Sequence, residues 1–280
     1  MKKKNNVELT ISDKDRRIEF TNDFMFATIM KDNEDICRRV LECILGFEIK
    51  SLKYVEDQYT LQSYSDNHGI RLDVIAKDTG ATYDIEMQTV NKDDIPKRMR
   101  YYQSQIDVAE LKKGRQYKHL KDSYVIFICT FDVFGKKEYI YRFENYDIEK
   151  GLPLGDGTKK IVVNAKGSKG DISEELKDLI AYIDKPDRAS KKPHTDLVEE
   201  IDTQVDKTNK DTSWRNAFMK LEIELMNREE LGREEGKLEG RKEGLDIATK
   251  IFRLFRDGKS EKQIASAVGL DVATVRGVLG

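Results

Sequence analysis

The sequence predicts an α/β fold with a mixed central sheet flanked by helices, followed by a C-terminal all-α segment. The run SYVIFICTF at 123–131 is apolar, β-branched and aromatic throughout, which is typical of a central strand covered on both faces. Residues 71–88 have the alternation of a two-stranded hairpin, and apolar residues recur at helical spacing before and after it. Together these features favour a layered α/β sandwich over an open antiparallel sheet.

The hairpin at 71–88 has a register that its own pattern selects. We expect Thr79 and Gly80 to form a two-residue loop, with the glycine supplying a positive φ. One face of the hairpin is then almost wholly apolar, and a slip of one residue would mix the two faces. The predicted facing pairs are Lys77 with Thr82, Ile75 with Asp84, Asp73 with Glu86, and Arg71 with Gln88.

Carboxylates that face one another across a ladder repel unless a cation lies between them. Mg²⁺ is the natural ion, because it takes oxygen ligands and is often held by one or two carboxylates. Asp73 and Glu86 are the candidate ligands, the backbone carbonyl of Met87 can add a third oxygen, and Gln88 can orient a water. The alternative is a solvated sheet face neutralised by Arg71 and Lys77.

Asp73, followed on the next strand by Glu86-Met87-Gln88, resembles the core motif of the PD-(D/E)XK nuclease superfamily, with glutamine where lysine usually stands. With four further segments in order, the chain resembles the Rpn family of recombination-promoting nucleases and transposases over residues 20–185. Those segments are TNDFMFATIM at 21–30, GIRLDV at 69–74, PKRMRYYQSQID at 96–107 and SYVIFICTFDVFGKKEYIYRFEN at 123–145.

This resemblance implies a restriction-endonuclease-like core and a DNA endonuclease that depends on Mg²⁺, with Mn²⁺ as the alternative ion. It implies catalytic roles for Asp73, Glu86 and Gln88 and a link to DNA recombination or mobile elements. Glutamine stabilises developing negative charge less well than lysine, although the Rpn family itself has glutamine at this place.

Composition limits the remaining classes. The 280 residues carry 36% charged side chains with a net charge of −2, so a nucleic-acid site must be a local patch. No apolar run has the length of a membrane span and the N-terminus lacks a signal peptide, so we expect a cytoplasmic protein without a membrane partner. The cysteines, at 37, 43 and 129, support neither a disulfide framework nor a zinc site.

The region before the hairpin is predicted as a flexible N-terminal arm at 1–19, two helices, and strands at 49–56 and 58–64. Thr21 or Asn22 can cap the first helix, and Gly46 can end the second. In the wider nuclease superfamily an acidic residue on the first helix can assist the metal. Asp23, Glu34 and Asp35 are candidates, but we favour capping and surface charge for each of them.

A helix is predicted after the hairpin, capped by Asp93 or Asp94, opened by Pro96 and closed by Gly114. Its sheet-facing residues are Met99, Tyr102, Ile106 and Ala109. A neighbouring face carries basic groups beside an aromatic ring, as docking to a phosphate backbone requires, although a solvated face is an equal alternative. That face comprises Lys97, Arg98, Tyr101, Gln105 and Lys112, and we expect Arg98, Tyr101 and Gln105 to bind DNA.

The rest of the nuclease-like domain, 20–185, is predicted to contain strands at 137–143 and 160–164 and a helix at 173–183 capped by Asp171 or Ser173. Residues 186–211 carry two of the four prolines and few apolar side chains, so a linker is predicted there.

The C-terminal part is predicted as a charged helical segment with a glycine stripe at 212–245 and a helix-turn-helix-like module at 246–280. If the module binds DNA, Thr274 and Arg276 are expected in the major groove. A packing or dimerising module, and a homodimer through the C-terminal helical segment, are the alternatives.

Three other functions stay open. The first is a catalytically weak or inactive DNA-binding or regulatory protein on the same fold. The second is a true transposase that performs strand transfer, although no residue pattern encodes recognition of transposon ends. The third is an interaction protein that works through its C-terminal helices.

Overall fold

We describe the protein from a computed structural model, over residues 16–61, 70–111, 114–186 and 194–280, with residues 54–61 and 70–72 described by backbone alone. The chain divides into two compact units, one at Arg16–Arg215 and one whose described part is Asn216–Gly280. No helix in these ranges is long and apolar enough to cross a bilayer.

A six-stranded mixed sheet forms the centre of the first unit, in the order β1-β2-β3-β4-β8-β5. β1, β2 and β3 are antiparallel neighbours, β3, β4 and β8 run parallel, and β5 is antiparallel to β8. A separate two-stranded ribbon joins β6 and β7. The strands are β1 Tyr54–Leu61, β2 Ile70–Lys77, β3 Ala81–Gln88, β4 Asp122–Cys129, β5 Ile140–Phe143, β6 Tyr146–Asp147, β7 Leu152–Pro153 and β8 Thr158–Asn164.

The hairpin register is as predicted where the β2–β3 ladder exists, with Lys77 opposite Thr82 and Ile75 opposite Asp84. The ladder ends at the pair Val74–Ile85, so it does not include the predicted pair of Asp73 and Glu86. The predicted pair of Arg71 and Gln88 is also outside this ladder, and the side chain of Arg71 lies outside the described part of the chain.

The hairpin turn has the predicted length, but it is stabilised by a different residue from the one predicted. The loop has two residues, as expected, because the N–H of Asp78 donates to the carbonyl of Ala81 over 3.0 Å. Gly80 is not among the glycines with positive φ, so the predicted glycine conformation is wrong. The carboxylate of Asp78 holds the turn instead, accepting from the N–H groups of Gly80 and Ala81 over 2.6 Å each.

Strand β4 is buried on both faces, which confirms the prediction from its apolar run. Tyr124, Ile126 and Ile128 lie in the main core, and the alternate residues Val125 and Phe127 lie in a smaller core on the other side of the sheet. The sheet is therefore the middle layer of a sandwich.

Helices pack on both faces of the sheet. The first is capped by Asn22, whose side chain accepts from the N–H groups of Phe24 and Met25, and the second ends at Gly46 with φ 81°, as the sequence predicts. The helices of the first unit are α1 Asp23–Asp32, α2 Glu34–Leu45, α3 Ile95–Glu110, α4 Glu174–Asp184 and α5 Asp196–Lys210.

Helix α3 follows Asp94 and has Pro96 in its first turn, as predicted. It ends at Glu110, before Gly114, so the predicted C-terminus is too late. Met99, Tyr102 and Ile106 are buried against the sheet, but Ala109 is exposed because the last turn extends past the packed face. Lys112 of the predicted basic face lies outside the described residues.

Several predicted boundaries move by a few residues. A single strand, β1 at Tyr54–Leu61, replaces the strands predicted at 49–56 and 58–64, and residues 62–64 lie outside the description. The strand predicted at 137–143 begins at Ile140. Ser173 caps α4, one of the two predicted caps.

The predicted linker at 186–211 is wrong for most of its length. Helix α5 occupies Asp196–Lys210, and its apolar face, Leu197, Val198, Ile201 and Val205, lies in the main core. Its many charges are on the outer face, which is why the composition suggested a linker. Residues 187–193 lie outside the described part.

The predicted arm at 1–19 is also wrong at its C-terminal end, since residues 16–19 are bound to α5. The N–H of Ile18 donates to Asn209 Oδ1 over 2.8 Å, and Asn209 Nδ2 donates back to the Ile18 carbonyl over 2.9 Å. Arg17 forms ion pairs with Asp202 and Asp206. Residues 1–15 lie outside the description.

The second unit contains most of a long helix, α6 Thr212–Arg256, followed by α7 Glu261–Val268 and α8 Val272–Leu279. The predicted capping box at Ser260 and Gln263 is present, and Gly269 ends α7 with φ 72°. Ile251, Ile264, Ala265 and Val275 form a small core of their own. The three helix segments therefore have the helical pattern predicted for 246–280.

Candidate functional site

The acidic face of the hairpin is buried beneath α3. Asp84 is 0% exposed, Glu86 is 2% exposed and Gln88 is 8% exposed. The alternative of a solvated sheet face neutralised by surface charges is therefore wrong for β3. Carboxylates that are buried from water need a hydrogen-bond donor or a cation as their partner.

Two carboxylates join the open end of the hairpin. Glu86 Oε1 accepts from the N–H of Asp73 over 3.0 Å, and Asp73 Oδ2 accepts from the N–H of Met87 over 3.1 Å. Each strand thus holds the backbone of the other through an acidic side chain, beyond the point where the backbone ladder ends. Asp73 and Glu86 meet as the sequence predicts, although their link is between side chain and backbone.

A chain of hydrogen bonds runs from Glu86 to helix α3. Gln88 Nε2 donates to Glu86 Oε2 over 3.3 Å, and Arg98 Nη1 donates to Gln88 Oε1 over 2.7 Å. Arg98 Nη2 donates to the hydroxyl of Tyr102 over 3.2 Å. The guanidinium carbon lies 5.4 Å from the ring centre of Phe127, so the cation is fixed by stacking as well as by hydrogen bonds. Arg98 is therefore part of the site, deeper than the outer DNA contact that the sequence suggests.

These groups line one cavity of about 240 Å³ at the end of β3. Its wall combines carboxylates, an amide and cations from four parts of the chain: α1, the hairpin, the loop after β3, and α3. The lining residues are Asp23, Asp73, Glu86, Met87, Gln88, Thr89, Val90, Lys92, Arg98 and Tyr102.

Burial dominates the electrostatics of the site. It raises the pKa of Glu86 well above its usual range, and the charges of Asp84 and Asp73 add to the effect. Burial raises the pKa of Asp84 in the same way, and Asp73 is again the repelling charge. Burial also opposes the charged form of Arg98, but the bond to Tyr102 and the charge of Glu86 outweigh it, so the pKa of Arg98 is raised.

The donor set at Asp73 and Glu86 fits a hard cation. Both groups supply carboxylate oxygens, and the oxygens that accept from backbone N–H groups, Glu86 Oε1 and Asp73 Oδ2, can still share a lone pair with a cation. Within the described residues no three His, Cys, Asp or Glu side chains are grouped closely enough to hold a metal ion. An ion here would rely on two carboxylates completed by backbone, water or phosphate oxygens, which is the manner of Mg²⁺.

The structure distributes the predicted DNA-binding residues over three places. Arg98 lines the cavity, whereas Tyr101 and Gln105 are half-buried on α3 and are not among its lining residues. Thr274 and Arg276 belong to the second unit. The hydroxyl of Thr274 donates to Asp271 Oδ2 over 2.6 Å, and Arg276 forms an ion pair with Glu261 over 2.7 Å.

Asp23, Tyr102 and Lys92 are among the lining residues that were not chosen from the sequence. Asp23 was considered and set aside, because capping and surface charge ordinarily explain an acidic residue in a first turn. Tyr102 was interpreted as core, which it also is, and its hydroxyl reaches the site through Arg98. Lys92 stands in a polar loop without a motif, so no sequence signal marks it.

The model of one family, described as PD-(D/E)XK nuclease family transposase, matches residues 20–243. The match therefore includes α5 and extends well into α6, beyond the domain end predicted at 185. No curated protein and no solved structure matches the chain. Membership implies a nuclease or transposase-like role with DNA as the partner, and nucleases of this superfamily typically use divalent metals.

With the acidic hairpin, the mixed sheet and a family match over most of its length, this chain belongs to the PD-(D/E)XK nuclease family transposases.

Proposed function

We propose that the protein is a metal-dependent DNA endonuclease of the Rpn type, acting in the cytoplasm in DNA recombination or on mobile elements. The single observation that carries this proposal is the meeting of Asp73 and Glu86 at the open end of the hairpin, in a cavity also lined by Arg98. Buried carboxylates beside a fixed cation are suited to phosphodiester chemistry more than to a structural role.

Asp73 and Glu86 would hold the ion, with Mg²⁺ as the expected species and Mn²⁺ as the alternative. The carbonyl of Met87 would be a third ligand, because N–H and C=O of one strand residue point the same way and the N–H of Met87 points to Asp73. Asp23 also lines the cavity, but within the described residues it is not grouped closely enough with Asp73 and Glu86 for the three carboxylates to share one ion. When bound, such an ion polarises the phosphate and lowers the pKa of a coordinated water.

Gln88 would orient the attacking water. Its carboxamide is fixed at both ends, by donation to Glu86 and acceptance from Arg98, and one amide N–H remains after these bonds. Arg98 would carry the fixed positive charge that glutamine lacks, close enough to stabilise charge that develops on a phosphate oxygen. Arg98 therefore acts at the reacting phosphate in this proposal.

DNA would be held by groups around this centre. Lys92 lines the cavity and would meet a phosphate neighbouring the reacting one. Tyr101 and Gln105, half-buried on the same helix as Arg98, would contact the backbone further along the strand. Thr274 and Arg276 would contact DNA from the second unit, and Arg276 would exchange its ion pair with Glu261 for a phosphate or a base.

The test is cleavage of supercoiled plasmid with Mg²⁺, with and without chelator, by the wild type and Asp73→Ala. We expect nicking or linearisation that requires both the ion and Asp73. Glu149→Ala, at an exposed carboxylate in a loop, is the matched control and should cleave normally. Cleavage that survives chelation, or that Asp73→Ala retains, would remove the metal assignment.

A second function is favoured by one residue, Gln88 in place of lysine. A catalytically weak DNA-binding or regulatory protein would bind plasmid without cutting it. Gln88→Lys should then create or increase cleavage, whereas a competent site in which Arg98 already supplies the charge should gain little. A marked donor DNA in the same assay detects strand transfer, since joined products would identify a true transposase.

A further inference from the structure

Three leucines stand exposed along α6 at one spacing. Leu231, Leu238 and Leu245 are seven residues apart and are 58%, 71% and 69% exposed. Seven residues are two turns with a drift of about 20° per step, so the three side chains form one stripe along the helix. Between residues 227 and 246 the other positions of α6 are charged residues, glycines and one asparagine. A single apolar stripe in such a stretch is the pattern of a helix that packs against another helix.

Two charges flank the stripe on each side. At about 100° per residue, Glu234 and Arg241 lie on one flank, and Glu235 and Lys242 lie on the other. Each flank therefore carries an acid in its N-terminal half and a base in its C-terminal half. Along the chain, the acid precedes the base on both sides of the leucine stripe.

We propose that α6 pairs antiparallel with α6 of a second copy of the chain, about a two-fold axis at Leu238. Leu238 then meets its own copy, and Leu231 meets the partner's Leu245 at each end of a seam about 21 Å long. The contact is isologous, because the same surface is used by both copies. This inference is independent of the nuclease site and uses only residues of the second unit.

The charges decide the orientation. A two-fold axis perpendicular to the helices keeps each flank on its own side, so Glu234 lies beside the partner's Arg241. By the same operation Glu235 lies beside the partner's Lys242, and every flanking charge in the seam meets an opposite one. A parallel, in-register pair exchanges the flanks, which sets Glu234 beside the partner's Glu235. Like charges would then meet along the whole seam, which disfavours that pairing.

The glycine stripe is not the contact in this arrangement. Gly232, Gly236, Gly240 and Gly244 lie on the side of α6 opposite to the leucines, and nothing described lies within 4 Å of a Cβ placed at any of them. Pairing through the leucines therefore leaves the glycine stripe on the outer side of each helix. The occupant is a second copy because the helix complements its own charge pattern.

Sedimentation of the full chain tests the pairing. We expect a concentration-dependent dimer in the wild type, and Leu238→Glu should raise the dissociation constant at least tenfold because two added charges meet at the axis. Leu154→Glu, at a leucine that is 69% exposed in the other unit, is the matched control and should dimerise normally. Circular dichroism checks that the helix content of both variants is unchanged.

Cysteine cross-linking tests the orientation, in a Cys43→Ser background because Cys37 and Cys129 are buried. Leu238→Cys should oxidise to a covalent dimer. Leu231→Cys alone should not, since the two copies of that position lie about 21 Å apart, but a mixture with Leu245→Cys should. Cross-linking of Leu231→Cys by itself would overturn the antiparallel arrangement.

Charge reversal provides a variant that keeps the leucines. Arg241→Glu with Lys242→Glu should weaken the dimer, and adding Glu234→Lys with Glu235→Lys should restore it, because the reversed charges again meet opposites. A wild type that stays monomeric at all concentrations, or a dimer indifferent to Leu238→Glu, would overturn the proposal.

Discussion

The two compact units depart from the usual distribution of side chains in opposite ways. In the first unit, Asp84 and Glu86 are acidic side chains buried under α3. In the second, Leu231, Leu238 and Leu245 are apolar side chains exposed to solvent. A cation offsets the charge of a buried carboxylate, and another protein surface removes an exposed leucine stripe from water. Each of these two departures therefore indicates the class of ligand that binds there.

The largest expected effect is at Glu86, where one substitution should lower the cleavage rate and raise the melting temperature of the metal-free protein. Glu86→Gln keeps an oxygen for the N–H of Asp73 but removes the charge, so we expect cleavage to fall about 10³-fold or more, as the loss of several kcal/mol of charge stabilisation predicts. The metal-free variant should melt at a higher temperature than the metal-free wild type, because a buried charge is gone. Initial cleavage rates and thermal melts measure the two effects. A parallel loss of both would show that Glu86 is merely structural.

Arg98 should follow in size. Arg98→Ala removes the hydrogen bonds to Gln88 and Tyr102 and with them the cation that donates to the amide of Gln88, so cleavage should fall about 10²- to 10³-fold. Adding Gln88→Lys should recover part of the rate by supplying a charge from the neighbouring position. The readout is the cleavage rate at saturating DNA, which separates a catalytic role from weaker binding. Full activity of Arg98→Ala at saturation would return Arg98 to a role in DNA contact alone.

Asp84 should affect stability and its pH dependence more than cleavage. Its pKa is raised in the folded state by burial and by Asp73, so the folded state loses stability as the pH rises from the ordinary carboxyl pKa through the folded one. Asp84→Asn should remove that part of the pH dependence, because the asparagine side chain does not titrate. Urea unfolding of the metal-free protein at pH 5 and pH 8 measures the difference. Glu149→Gln, at an exposed carboxylate in a loop, is the matched control.

The smallest effect tests the exposed side of α6. Gly236→Ala should stabilise the helix by about 1 kcal/mol, since alanine is the better helix former and, outside the helix's own backbone, no described atom lies within 4 Å of the new Cβ. The dimer should be unaffected, because Gly236 faces away from the leucines. Gly269→Ala is the contrasting variant, and its positive φ of 72° should make the same change destabilising. Thermal unfolding and sedimentation of both variants complete the comparison.

Much of the fold follows from local pattern. The β4 run, the hairpin register from Lys77 to Val74 and the caps at Asn22 and Ser260 are all confirmed, because each depends on residues adjacent in sequence or across one turn. The end of α3 and the presence of helix α5 could not be predicted from such local patterns. Helix α5 has charges on most of its surface, and only the main core reveals that its apolar stripe is buried.

The candidate site was predictable to the same extent. Asp73, Glu86 and Gln88 come together because they share one hairpin face, which alternation alone predicts. The role of Arg98 was not predictable, because helical periodicity places it on a polar face without showing that this face turns toward Gln88. Asp23 reaches the cavity from α1, and such a long-range contact leaves no local signal, whereas Lys92 stands in the loop after β3 without a motif.

The open end of the hairpin also has a consequence for hydrogen exchange. The amide protons of Asp73 and Met87 are held by carboxylates rather than by the backbone of a neighbouring strand. A cation that draws on the same oxygens competes with these bonds, so both amides should exchange at a rate that depends on the ion. Two backbone positions thus report occupancy of the site directly, even for ions that support no cleavage.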